Sequence, residues 1–480
     1  MKKILLIIIL QFLCISHLYA DDNFEDEFTE WLIKNNHTQY LKQNECYGCD
    51  VNTATLKCFD KDGEPKKQCW MHGKWRRSNS ESNEHNLDIN FFKSAEIPWG
   101  TKPNRDTLLY YLFRYLEIEN QSDRAGSKAS KNPYKFEISL RSDDDKTLKK
   151  VRKAMNKTSI LSYLLYEDGK ITIDEITPKD RFGIIYKDDT QYTSASVGKS
   201  LVSYVTGHAV CKGYINGVDH RLNDWPLLEN TLFYDQKLIN LLNMATGHHK
   251  YADFNLKTNK YPTNANKNTV EFHLKKGVFK NSKKAKNKYQ YTNFLSNLLI
   301  NYVWFKSEGK FQDLLDEIFV DKAKIEHDAW FLKMNDRNVK MNNRNNSILK
   351  EYEVKDEDGP LRYSFRASRY DYLRIAKAML DDWQNDTCVG KYLKTIRELR
   401  IPKNHKWKDE KSHDLNSKAY AGKFHTNYSG MAKRNVMGMS GYGGQSIMID
   451  FDKGRINVIN SIHTDYNWKK MAHSVIKKGK

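Results

Sequence analysis

Beyond its first twenty residues this 480-residue chain has no apolar run of transmembrane length, and only 39% of its residues are hydrophobic. A helical membrane span in the body of the chain is therefore not expected. Zinc-finger spacings, aromatic–basic modules and internal repeats are also missing, which argues against nucleic-acid binding and against a repeat architecture. There is no Gly-x-Ser-x-Gly elbow and no His-Glu-x-x-His helix to compete for hydrolytic chemistry. Gly198-Lys199-Ser200 ends like a nucleotide-binding P-loop, but Thr193 stands where that loop needs its first glycine, so the nucleotide reading fails. No metal or cofactor is expected.

The start of the chain is different. Lys2-Lys3, an apolar run from Ile4 to Leu18 and a Leu18-Tyr19-Ala20 end precede Asp21-Asp22. This pattern reads as a secretory signal peptide over residues 1–20, cleaved after Ala20, with an uncleaved anchor as the alternative. Cys14 lacks the small preceding residues that lipid attachment requires. The mature protein is expected in the periplasm or outside the cell. Its formal charge of +19 is spread along the chain, which suits an exterior facing anionic envelope polymers and says nothing about fold. Of the cysteines left after cleavage, Cys46, Cys49, Cys58 and Cys69 cluster while Cys211 and Cys388 stand apart. Two disulfides within the cluster are expected, with zinc binding beside His72 as the alternative. Asp50 after Cys49 excludes ordinary haem attachment.

Residues 21–142 read as an accessory segment carrying the cysteines, with an acidic helix over 22–35 and an apolar one over 106–117. From residue 143 the pattern changes. Helix is predicted over 145–155, then a hairpin of Ser159 to Tyr166 and Ile171 to Glu175 turning at Asp168-Gly169. A largely helical, loop-rich stretch follows from Leu222 to about Gln384, including a helix opened by the capping pair Ser368 and Asp371. Ser446 to Asp450 and Arg455 to Ile462 form a second hairpin, and Asn467 to Lys477 a last helix. The expected fold is α+β: an antiparallel sheet built by the N- and C-terminal parts of residues 143–480, with flanking helices and a helical subdomain.

The chemistry centres on Ser196-Val197-Gly198-Lys199. Leu201, Val202, Val205, Ala209 and Val210 recur at helical spacing behind it, and Cys211-Lys212-Gly213 is the stop. Side chains at i and i+3 share one helix face, so the Ser196 hydroxyl and the Lys199 amine can meet. A lysine in a dry pocket can take a serine proton, and a helix N-terminus offers N–H groups to a developing oxyanion. For the bare motif the competing reading is a capping serine and a solvated lysine.

Further elements follow in order. Tyr291-Thr292-Asn293 leads into an apolar helix, and Gly441-Tyr442-Gly443-Gly444-Gln445 precedes a strand. With Ser196-Val197-Gly198-Lys199, these resemble the serine β-lactamase and penicillin-binding-protein superfamily, in its class C-like branch of esterases, D-amino-acid peptidases and 6-aminohexanoate-dimer hydrolases. Lys170 to Glu175 resembles the family's opening hairpin, Leu241 to Gly247 its "LLTMTSG" segment, and Arg366 to Leu373 its "TARDLARF" helix. The resemblance spans residues 143–480. It implies a serine hydrolase acting on an ester or amide, with Ser196 as nucleophile and Lys199 and Tyr291 as acid and base. Asn293 would orient Lys199 or the substrate amide. The N–H groups of Ser196 and Tyr442 would form the oxyanion hole, and Gly443 and Gly444 would let substrate approach the strand. A non-catalytic or slowly acylating sensor of the same fold is the alternative function. His248 and His249 read as surface or cleft residues.

One departure stands out. Many relatives carry a lysine or histidine two residues before the glycine of the third motif, where this chain has Met439-Ser440-Gly441. Lys433 and Arg434 are the nearby cations that could substitute. Without them, short-chain esters or uncharged amides should be preferred over penicillins and cephalosporins.

Overall fold

The computed structural model describes residues 124–179, 183, 186–229, 231–247, 288–333, 361–403 and 417–479, together with four short strands between residues 58 and 77. The chain divides into two units, residues 1–111 with 177–187, and residues 112–176 with 188–480. In the first, β1 (Cys58–Phe59) pairs with β2 (Pro65–Lys66), and β3 (Gln68–Met71) with β4 (Lys74–Arg77), both antiparallel. The proposed signal peptide, the helices expected over 22–35 and 106–117, the side chains of the cysteine cluster, and His72, His248 and His249 lie outside the described residues.

The second unit opens with β5 (Arg124–Ser127) and β6 (Glu137–Ile138), both within the segment read as accessory and both paired into the sheets of this unit. Helix α1 (Lys146–Met155) starts where Asp145 accepts hydrogen bonds from the N–H groups of Thr147 and Leu148, satisfying two orphan donors. The hairpin β7 (Ile160–Glu167) and β8 (Lys170–Ile176) turns at Asp168 and Gly169, both at positive φ, as a two-residue loop requires. After β9 (Tyr192–Thr193) comes α2 (Val197–Cys211), buried along thirteen of its fifteen positions. Then follow α3 (Leu238–Leu242), α4 (Phe294–Lys306), α5 (Phe311–Asp316), β10 (Ala329–Lys333) and β11 (Leu361–Ala367). Helix α6 (Arg369–Gln384) begins at Ser368, whose hydroxyl accepts from Asp371 N–H, and α7 (Cys388–Glu398) at Thr387, which accepts from Gly390 N–H. The strands β12 (Ile401–Pro402), β13 (Ser417–Ala421), β14 (Phe424–Tyr428), β15 (Val436–Gly441), β16 (Gln445–Asp450) and β17 (Arg455–Ser461) lead to a π-turn and α8 (Ser474–Lys477).

Nine strands form the main sheet in the order β12-β13-β14-β15-β16-β17-β7-β8-β6, antiparallel except where β6 joins β8. Within it β17 pairs with β7, so the N- and C-terminal parts of the domain meet there as the α+β reading expected. One core cluster gathers Leu148 and Val151 of α1, Tyr163 and Leu165 of β7, Met448 of β16 and Ile476 of α8. A second sheet, β5-β10-β11-β9, stands where the sequence suggested helix and loop. Its β10 reads Ala-Trp-Phe-Leu-Lys and is buried on both faces, so it lacks the alternation that marks a half-exposed strand. Helix α2 packs against α4, α7 and β11 and also reaches β15 and β16. That places its N-terminus between the two sheets.

A disulfide joins Cys211 at the end of α2 to Cys388 at the start of α7. Among the described residues no helix is long and apolar enough to cross a membrane.

Candidate active site

The turn before α2 is held from two sides. Ser194 N–H donates to Phe365 O at 2.8 Å, and Phe365 N–H donates to Ser194 Oγ at 2.7 Å, fastening the turn to β11. Ala195 sits at φ 43°, a left-handed conformation that an alanine adopts only under constraint. Gly198 has no room for a side chain, since a Cβ there would lie 1.9 Å from Tyr363 O. Gly441, at the end of β15, is equally crowded, with a Cβ falling 2.5 Å from Ser194 O. The third motif therefore lies directly beside the nucleophile turn.

Lys199 Nζ lies 2.6 Å from Ser196 Oγ, and Lys199 is 1% exposed. Ser196 makes no capping hydrogen bond with its side chain. A capping serine and a solvated lysine are thus both excluded. The ammonium lies over two rings, with its Nζ 3.7 Å from the centroid of Tyr363 and 4.8 Å from that of Tyr291. Each ring face attracts the cation and fixes where it points. Tyr291 sits edge-on to Tyr420 of β13, 6.5 Å between centroids. Asn293, the residue before α4, joins this cluster, its Oδ1 accepting from Tyr363 Oη at 2.9 Å.

Tyr442 is 39% exposed at the head of a tight turn, beside the nucleophile loop. Gly443 and Gly444 have φ of 79° and 90°. The space beside them is taken by the chain itself: a Cβ would meet Ile462 O at 2.8 Å and the Tyr466 ring at 2.8 Å. Neither suggested cation reaches the site. Arg434 binds Asp450 and the carbonyls of Ile476 and Lys477, and Lys433 lies exposed on the loop before β15. Both follow the loop toward the far end of β15, where Val436 pairs with Asp450.

Four cationic or aromatic residues of this region belong to none of the motifs. Tyr363 is one; an aromatic on a strand ordinarily signals core. The second is Lys423, at φ 76° between β13 and β14, with its carbonyl accepting from Ser200 Oγ at 2.7 Å. Its Nζ is buried with no hydrogen-bond partner, and burial, then the charge of Lys199, holds its pKa well below the usual lysine range. The third and fourth are His425 on β14 and Lys403 just after β12. Among the described residues no group of three or more His, Cys, Asp or Glu could hold a metal ion.

Comparison with solved structures bears on this arrangement. A candidate 6-aminohexanoate-dimer hydrolase from Bacillus anthracis superposes with a TM-score of 0.51 at 12% identity, over 78% of this chain and 96% of that one. The fold is that of the serine β-lactamases and penicillin-binding proteins. Further matches to this β-lactamase-like fold include a candidate β-lactamase from Bacteroides dorei (TM-score 0.48, 13% identity, 69% of this chain and 97% of that one). Another is a β-lactamase/D-alanine carboxypeptidase from Pseudomonas syringae (TM-score 0.45, 14% identity, 70% and 98%). No protein-family model and no curated protein matches the sequence.

Proposed function

We propose that the protein is an exported serine hydrolase that cleaves a small ester or amide through an acyl-enzyme on Ser196. The observation that carries this reading is the 2.6 Å contact between Ser196 Oγ and the buried Lys199 Nζ, at the N-terminus of a buried helix on a β-lactamase-like fold. In the forward step Lys199 reacts as the free amine: it gives up its extra proton first, and then Ser196 Oγ attacks the carbonyl carbon while the Ser196 proton passes to Lys199 Nζ. The N–H groups of Ser196 and Tyr442 receive the oxyanion. Tyr291 carries the proton onward to the leaving group, which departs as the acyl-enzyme forms, and water completes the cycle by the reverse route. Export is supported by the N-terminal pattern of residues 1–20 and by a Cys211–Cys388 disulfide, which belongs in an oxidising compartment.

A fluorophosphonate probe followed by peptide mass spectrometry tests the reading. The label should fall on Ser196, be absent from Ser196→Ala, and form about a hundredfold to ten-thousandfold more slowly in Lys199→Met and Tyr291→Phe. A label on another serine, retained in Ser196→Ala, would overturn the assignment. A Ser196 adduct of ester substrates that never hydrolyses would favour the sensor alternative.

A further inference from the structure

Five cations from separate stretches of the chain line one cavity of about 350 Å3, between α1, the start of β17, the π-turn and α8. They are Arg141 before α1, Lys150 on it, Arg455 at the head of β17, Lys470 in the π-turn and Lys478 just after α8. The volume is that of a small-molecule site. None of Ser196, Lys199, Tyr291 or Tyr442 lines it.

The charges are not balanced within the fold. Glu167 receives both arginines, and Arg141 also reaches Asp145 at 3.3 Å, so the two carboxylates answer the two guanidiniums. Lys150, Lys470 and Lys478 have no carboxylate within pairing distance among the described residues. A fold gains nothing by gathering uncommitted ammoniums around one hollow, because like charges at close range repel. Arg455 adds a second mark. It is 6% exposed and gives Nη1 to the Val475 carbonyl at 3.1 Å, yet its Nε–H has no hydrogen-bond partner among the described residues. A buried guanidinium N–H that the protein leaves unmatched is a donor available to a ligand.

The lining also sets the ligand's chemistry. The cationic side chains only donate, and Thr147 and Ser474 add hydroxyls. No Asp, Glu or His lines the cavity, so it offers nothing to a metal ion or an amine. A carboxylate would bring a single charge against three uncommitted lysines. A phosphate monoester brings nearly two charges and three strong acceptor oxygens, and lysine meets phosphate as a point charge. We propose that this cavity binds a phosphate monoester, with Lys150, Lys470 and Lys478 at its rim and Arg455 at its base. The ester is a soluble molecule or the headgroup of an anionic lipid, which present the same group. The site goes beyond the hydrolase reading and stands without it.

The three rim lysines are exposed, so replacing them leaves the core intact. The full mature chain is titrated calorimetrically with glycerol 1-phosphate. Separately it is pelleted with phosphatidylcholine vesicles that contain or lack phosphatidic acid, at one ionic strength set by sodium chloride. Lys150→Gln, Lys470→Gln and Lys478→Gln should each raise Kd about tenfold, the worth of one hydrogen bond to a charged group, and the triple variant should not bind. A second triple at exposed lysines elsewhere, Lys418→Gln/Lys433→Gln/Lys453→Gln, removes the same charge and should bind as the wild type does. Far-UV circular dichroism reports that each variant is folded. Binding of glycerol 1-phosphate that only the cavity triple loses assigns the site to a soluble ester. Binding of phosphatidic acid vesicles that only the cavity triple loses assigns it to a lipid headgroup. No binding of either probe, or an equal loss in the two triples, would overturn the site.

Discussion

Removing the Cys211–Cys388 disulfide should cost stability while leaving the nucleophile in place. The bond closes a loop with a sequence separation of 177 residues. The chain-entropy relation gives about 5 kcal/mol for a loop of that length, and measured native bonds more commonly give about 2–4 kcal/mol. Either figure is a large share of the roughly 5–15 kcal/mol that holds a typical domain folded. Yet the bond sits at the far end of α2, about 22 Å from Ser196 at 1.5 Å per residue. The near end is fastened separately, by the paired Ser194–Phe365 hydrogen bonds and by Gly198 against Tyr363 O. Cys211→Ser/Cys388→Ser should therefore unfold at clearly lower urea in far-UV circular dichroism, with a steeper transition because the unfolded chain expands further. Its Ser196 labelling rate without urea should stay within about twofold of wild type, a difference of less than 0.5 kcal/mol. An unchanged midpoint would show that the bond does not restrain the unfolded chain. Lost labelling in a protein with native circular dichroism would show that the bond positions the nucleophile after all.

Three further outcomes are expected. Gly198→Ala places a methyl against a backbone carbonyl that cannot swing aside, so it should lower stability by about 1–3 kcal/mol and slow Ser196 labelling. Labelling at the wild-type rate would mean that the helix start tolerates a shift. His208 is buried, and burial first, then Lys322, pushes its pKa down to about 3. The folded state thus binds fewer protons than the unfolded chain between pH 6.5 and 3. Stability falls as pH drops through that window, by about 2 kcal/mol at pH 5, and His208→Gln should flatten the fall in acid urea melts. Lys423 obeys the same sign: its depressed pKa makes stability decline as pH falls below about 10.4. Lys423→Met should remove that decline, and a melting temperature lower than wild type at pH 7 would contradict it.

Much of the site was legible because its signals are local. Ser196 and Lys199 share one turn of helix, Asp168-Gly169 marks its own hairpin, and Ser368 caps its own helix. These depend on neighbours within four residues, which a sequence displays directly. The second sheet was missed because β10 is a short apolar run, β11 carries Arg362, Ser364 and Arg366 among its apolar residues, and their partner strands lie far along the chain. The contacts of His425 with Lys403 and Ser440 escaped for the same reason, since they join β14 to the residue after β12 and to β15. Tyr363 touches Lys199 only because α2 crosses β11. The loss of a cation at Met439 was plain in the sequence, whereas the contact of Ser440 with His425 becomes visible only once β14 is paired with β15 through His425 and Gly438.

The pairing of β7 with β17 also governs the order of events in folding. The hairpin β7–β8 is local in sequence, but the other neighbour of β7 is β17, which follows every other described strand. Until Arg455–Ser461 emerges, β7 presents a bare row of N–H and C=O groups, and β16 lacks one flank as well. Strands so distant in sequence pair slowly, because loop closure must precede any gain from contact. A chain stopped before Arg455 therefore keeps two open edges prone to intermolecular pairing, and it leaves α2 over an unfinished floor of β15 and β16. Assembly of the nucleophile helix on its sheet is thus postponed until Arg455–Ser461 has been made.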